Sequence, residues 1–167
     1  MMQSSQFGVI DNRFLSRSLG LLDPPQPISV KLETPVREVV ALLQQNKIGC
    51  VLVTERTGAL AGIFTERDVL LKVSLKDATI ADRPVSELMT TNPQTAEMTT
   101  TIAFALHMMS QGGYRHIPIL DGDGQAVGLI SVKDIVDYLA NTVTKDLQAV
   151  SYTHLDVYKR QHHETGA

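Results

Sequence analysis

The sequence predicts an α+β fold made of two copies of one βαββα unit, packed together through their sheets. Three observations carry that expectation. The stretch Gly62-Ile63-Phe64-Thr65-Glu66-Arg67-Asp68 returns, 66 residues later, as Gly128-Leu129-Ile130-Ser131-Val132-Lys133-Asp134. Around each copy the apolar residues switch between strand and helix spacing in the same order. A unit of roughly 55 residues also buries too little surface to be stable alone, so two are expected to share a core.

Composition bounds the function before any motif does. A chain of 167 residues with 43% hydrophobic and 20% charged residues is an ordinary globular protein of one domain or two small subdomains. A net charge of -3 gives no basic stripe for nucleic acid. Apolar runs of about five residues are far short of a membrane span. Cys50 stands alone and makes no internal disulfide. With no signal-peptide pattern at the start, a reducing, cytoplasmic setting is expected.

Residues 1–27 read as an N-terminal extension. Phe14, Leu15, Leu19, Leu21 and Leu22 line one face of a short helix that Pro24, Pro25 and Pro27 stop. The first unit, 28–83, opens with the alternating strand Ile28–Leu32. Thr34 is the expected helix N-cap and Pro35 the first helical residue. Val36, Val39, Val40 and Leu43 then form one apolar helical face. Cys50–Val53 and Leu60–Phe64 read as a hairpin around Glu55-Arg56-Thr57-Gly58, and a second helix follows Thr65.

The second unit, 84–149, repeats this order. Val85–Thr90 reads as a short helical turn leading in, and Thr95–Met98 replaces the first strand. Thr100 or Thr101 caps a helix presenting Ile102, Leu106 and Met109. His116–Leu120 and Ala126–Ile130 form the hairpin around Asp121-Gly122-Asp123-Gly124, which lacks the downstream glutamate of a calcium loop. Residues 150–161 can be encoded by an inverted-repeat DNA that looks like two sequencing-transposon ends joined back to back. The tail 150–167 is therefore read as non-native and set aside.

Two such units, each ending in Gly, two apolar residues, Ser or Thr, two residues and Asp, joined by Val85-Ser86-Glu87-Leu88-Met89-Thr90, resemble a tandem pair of CBS domains, a Bateman module. Arg115-His116-Ile117-Pro118-Ile119-Leu120-Asp121 and Thr65-Glu66-Arg67-Asp68 are similar to segments of bacterial two-repeat members. The resemblance implies a pseudo-twofold module that is regulatory rather than enzymatic. It further implies clefts for an adenosine nucleotide (AMP, ADP or ATP), no obligatory cofactor or metal, a homodimer and a regulated partner protein. By position it implies that Asp134 and Asp68 hold the ribose diol. Ser131 and Thr65, with Lys133, Arg67, Arg115 and His116, would contact phosphate or ribose. Ser29, Val30, Thr95, Ala96 and Pro118 would line adenine pockets.

The chemistry is consistent with that assignment. A carboxylate accepts from two adjacent hydroxyls, and a helix N-terminus offers N–H groups to phosphate. The competing reading is a helix-capping box, which also takes Ser or Thr with an acid three residues on. Such boxes favour Glu or Gln at that position, whereas both copies carry Asp. Arg115, His116 and Pro118, against Gly49, Cys50 and Leu52 in the first unit, make the Asp134 site the better equipped. No nucleophile, base and orienting group stand at catalytic spacing.

Overall fold

The computed structural model describes residues 12–73, 77, 79–142 and 144. The tail assigned to a non-native origin lies outside them. Helix α1 (Asn12–Leu15) and a 3-10 turn (Leu19–Leu22) precede β1 (Ser29–Lys31), α2 (Val36–Asn46), β2 (Cys50–Thr54), β3 (Leu60–Thr65) and α3 (Glu66–Lys72). Then come β4 (Thr90–Thr91), α4 (Ile102–Gly112), β5 (His116–Leu120), β6 (Ala126–Ser131) and α5, residues 132–142. The first sheet runs β1-β2-β3-β4, with β1 parallel to β2; the second is the antiparallel pair β5-β6.

Alternation in the strands explains the layering. Val51 and Val53 of β2 point into a core with Val36, Val39, Leu43 and Phe64. Cys50 and Leu52 point the other way and pack with Ile63, Leu60, Ala126 and Leu129, which joins the two sheets. All five residues of β2 are consequently buried, as expected of a strand covered on both faces. The second repeat builds its own core from Ile102, Ala105, Met109, Ile117, Ile119 and Ile130. At the centre of the joint, Ala59 pairs antiparallel with Gln125. These are equivalent positions of the two repeats, so the pairing marks their pseudo-twofold axis.

Four local expectations need correction. The N-terminal segment is not one helix, because residues 17–20 give their backbone groups to the second repeat. The N–H of Leu19 donates to Thr100 O (2.8 Å), that of Gly20 to Met98 O (2.9 Å), and that of Ile102 to Arg17 O (2.9 Å). Leu19 is fully buried there while Leu21 is 59% exposed. Phe14 enters the same core and stacks on Tyr138 with ring centroids 5.6 Å apart.

Pro35, not Thr34, is the N-cap of α2. The Thr34 hydroxyl instead accepts from the Lys31 N–H (3.1 Å), and the Val36 N–H is satisfied by Arg83 O (2.9 Å). At the second helix the choice falls on Thr101, whose hydroxyl accepts from the Phe104 N–H.

The strand expected at Thr95–Met98 shrinks to one parallel bridge, Ala96 with Ile119. The linker read as a helical turn is a 3-10 turn (Val85–Glu87) followed by β4, which extends the first sheet along β3. Gly62 allows this approach: a Cβ there would lie 2.7 Å from Thr90 O. In the second repeat Pro24 takes the corresponding place, 3.1 Å from a Cβ built on Gly128, and the Leu129 N–H donates to Pro25 O (3.2 Å). The N-terminal extension thus does for repeat two what the linker does for repeat one.

This packing sets a test. Leu19→Ala should destabilise the chain by about 2–5 kcal/mol, as large-to-small changes in a core do. Leu21→Ala should stay within about 0.5 kcal/mol. Urea unfolding of both variants measures the contrast.

Candidate functional site

Each repeat ends its hairpin with the strand-to-helix junction that carries the motif aspartate, and the seam between repeats places the two junctions at two clefts. The first, of 280 Å³, is lined by Thr65, Glu66, Arg67 and Asp68, by Thr90 and Asn92–Gln94 of the linker, and by Tyr114–His116 of the second repeat. The second, of 480 Å³, is lined by Ser131–Asp134, by Pro25–Ile28, and by Lys47–Cys50 of the first repeat, with Arg115 and His116. Gly49, Glu66, Arg115 and His116 belong to both linings. The clefts share a wall.

Both motif pairs form the same hydrogen-bonded ring. Asp68 Oδ2 accepts from the Thr65 N–H (2.9 Å) and hydroxyl (2.7 Å), and the Thr65 Oγ1 accepts from the Asp68 N–H (3.3 Å). Asp134 Oδ2 accepts from the Ser131 N–H (2.8 Å) and hydroxyl (2.6 Å), with Asp134 N–H back to Ser131 Oγ at 3.2 Å. Aspartate therefore does form the capping box, although Glu and Gln are the usual partners. One carboxylate oxygen is committed to the cap in each copy. Any further ligand must address chiefly the other.

The other oxygen is where the copies part. Asp68 is 7% exposed, and its Oδ1 forms an ion pair with Lys72 Nζ at 2.7 Å. Lys72 is held in place by a second bond, to Leu88 O (2.7 Å). The second repeat has Tyr138 at the position corresponding to Lys72, and its hydroxyl accepts from Arg17 (2.9 Å). Asp134 is half-buried, and its Oδ1 has no side-chain partner among the described residues.

The expected phosphate contacts are distributed unevenly. Arg67 lines the first cleft but donates to Gly113 O (2.6 Å). Lys133 lines the second, pairs with Asp137, and has its ammonium pKa raised mainly by that bond. Arg115 and His116 line both clefts, so they do not distinguish the Asp134 site as the sequence suggested. His116 pairs across the sheet with Ser131, and its ring packs against Gly49, where a Cβ would lie 3.0 Å from Cε1.

Ser29, Val30, Thr95, Ala96 and Pro118, expected around adenine, line neither cleft. Val30 and Ala96 face the two cores, Pro118 is buried with its carbonyl bonded to the Ala96 N–H, and Ser29 lies exposed on β1. The corresponding walls come from one to four residues earlier: Asn92, Pro93 and Gln94 in one cleft, Gln26, Pro27 and Ile28 in the other. Sequence reasoning also missed Tyr114, Glu66 and Lys47. The alternation of β1 was the available signal, since it points Val30 inward.

Cys50 is excluded from chemistry by burial. Its thiol pKa is pushed up to about 12, first by desolvation and then by the negative charge of Glu66. Burial also lowers the His116 pKa, helped by Arg115 and opposed by Asp134 and Glu66. The folded state then binds that proton more weakly than the unfolded chain does. Stability is fully present above the ordinary value of 6.5 and is lost as pH falls through the depressed folded value. Thermal melts from about pH 7.5 to about pH 5 should show this decline. His116→Gln should flatten it.

Comparison with known proteins agrees with this architecture. A family model for the CBS domain matches residues 23–75 and again 85–141. A CBS domain-containing protein of Arabidopsis thaliana is 30% identical over 134 residues, which is 80% of this chain and 22% of that one. The chain thus spans about a fifth of that relative. The crystal structure of a CBS-domain protein from Agrobacterium tumefaciens superposes with a TM-score of 0.68 at 30% identity, covering 73% of this chain and 98% of that one. A CBS domain protein from Pyrobaculum aerophilum, solved in complex with AMP, gives a TM-score of 0.65 at 25% identity over 75% and 99% of the two chains. With one family match on each repeat and the paired sheets between them, the chain belongs to the CBS-domain family, as a tandem pair forming a Bateman module.

Proposed function

We propose that this chain is a regulatory module that binds an adenosine nucleotide in the Asp134 cleft and passes its occupancy to a partner protein through the geometry of a homodimer. One observation carries the reading. Ser131 holds Oδ2 of Asp134 while Oδ1 has no side-chain partner among the described residues, and Asp134 lines a cleft of 480 Å³, which leaves a carboxylate oxygen as acceptor for a ribose hydroxyl. The AMP complex of the Pyrobaculum aerophilum relative supports the choice of ligand class. Asp68 is the weaker ribose site, because the diol would have to displace Lys72 from Oδ1. The role is regulatory rather than catalytic: the one thiol is buried, and each motif hydroxyl already donates to its carboxylate. A buried, free Cys50 suits the reducing cytoplasm.

Titration calorimetry with AMP, ADP, ATP, NADH, S-adenosylmethionine and cyclic di-AMP tests the proposal. At least one should bind below about 1 mM, and Asp134→Ala should weaken it by about tenfold or more, the loss of hydrogen bonds to a charged acceptor. Asp68→Ala should cost less affinity. If none binds at millimolar concentration, the module is an interaction scaffold with vestigial sites. Sedimentation with and without the bound nucleotide should show a dimer whose shape changes.

A further inference from the structure

Lys47 occupies a place that glycine would fill more easily. It ends α2 in the left-handed region, at φ 51 and ψ 44, where a side chain is strained. The second repeat places Gly113 at the equivalent turn, with φ 66. The capping hydrogen bonds of Lys47, from its N–H to Gln44 O and Leu43 O, are made by the backbone and need no lysine. Its ammonium forms no ion pair or hydrogen bond with the described residues. It lines the Asp134 cleft, although it belongs to the other repeat, and Arg115 lines the same cleft with its guanidinium likewise uncommitted. The other cations nearby are engaged: Lys133 with Asp137, Arg67 with Gly113 O, Lys72 with Asp68.

We propose that Lys47, reaching across the seam, is the phosphate-binding cation of the Asp134 cleft and makes it select phosphorylated over unphosphorylated nucleosides. The Asp68 cleft, with Gly113 at the equivalent turn, discriminates less. Arg115 stands in the shared wall and serves whichever cleft holds the anion. The inference rests on the nucleotide reading above. It adds the residue that reads the phosphate and assigns the two clefts different ligand charge. Backbone strain at Lys47 is retained because the ammonium must start from this turn to face the cleft. A lysine near a helix C-terminus also favours the helix dipole, and that purely structural role makes the opposite forecast for a glycine variant.

The experiment measures AMP and adenosine binding to the intact chain, to Lys47→Gly and to Lys47→Arg, with urea unfolding of each. Lys47→Gly should reduce the preference for AMP over adenosine by about tenfold or more, as loss of a charge-assisted phosphate contact does. Its stability should hold or rise, and Lys47→Arg should keep most of the preference. In an Asp134→Asn background the glycine variant should cause little further loss, since both residues serve one ligand. An unchanged preference, or a destabilised variant with its preference intact, overturns the proposal and leaves Lys47 as a helix cap. If the intact chain binds neither compound, this inference falls; if it also binds none of the other nucleotides named above, the nucleotide reading falls with it.

Discussion

The contact on which the rest depends is the face-to-face packing of the two hairpins. Neither repeat can cover both faces of its own sheet. Cys50, Leu52 and Ile63 are therefore buried against Ala126 and Leu129 of the other repeat. Once the sheets meet there, with Ala59 opposite Gln125 on the axis, each strand-to-helix junction must face the helix-to-strand turn of its neighbour. The clefts follow from that packing. Every cleft is consequently composite, with the carboxylate from one repeat and the opposing wall from the other.

Much of this order was legible in one sequence because duplication supplies its own control. An apolar pattern that recurs at a fixed offset, with turn glycines and motif aspartates in register, has two chances to be read. Gly58 and Gly124 illustrate it: both adopt positive φ in the hairpin turns their positions suggested. What escaped was whatever the chain does only once packed. Thr90–Thr91 is two exposed residues with no strand signature of its own, made a strand by the close approach that Gly62 permits. The 3-10 turn and the exposure of Leu21 likewise come from backbone bonds to a segment some eighty residues away.

The site was legible in its centre and not at its edges. Short-range geometry fixes Thr65 with Asp68 and Ser131 with Asp134, so residue spacing alone identifies them. The cap takes one carboxylate oxygen in each copy; the other is paired with Lys72 in Asp68 and has no side-chain partner among the described residues in Asp134. The surrounding walls depend on which residues the partner repeat presents, and spacing within a repeat carries no information about that. Asymmetry between the copies was also misattributed. Arg115 and His116 are common property; the ion pair of Lys72 with Asp68, and its replacement by Tyr138, distinguish the copies.

The exchange at the N-terminal end has a consequence for the order in which the chain can fold. Leu19 and Phe14 complete the core of the second repeat, against Ile102 and the ring of Tyr138. On a ribosome these residues emerge before the first repeat and meet their partners only after it has been made. While the first repeat is being made, the apolar side chains ahead of it have no partners in the second. The wall of the Asp134 cleft built by residues 25–28 therefore cannot settle until α5 has been made.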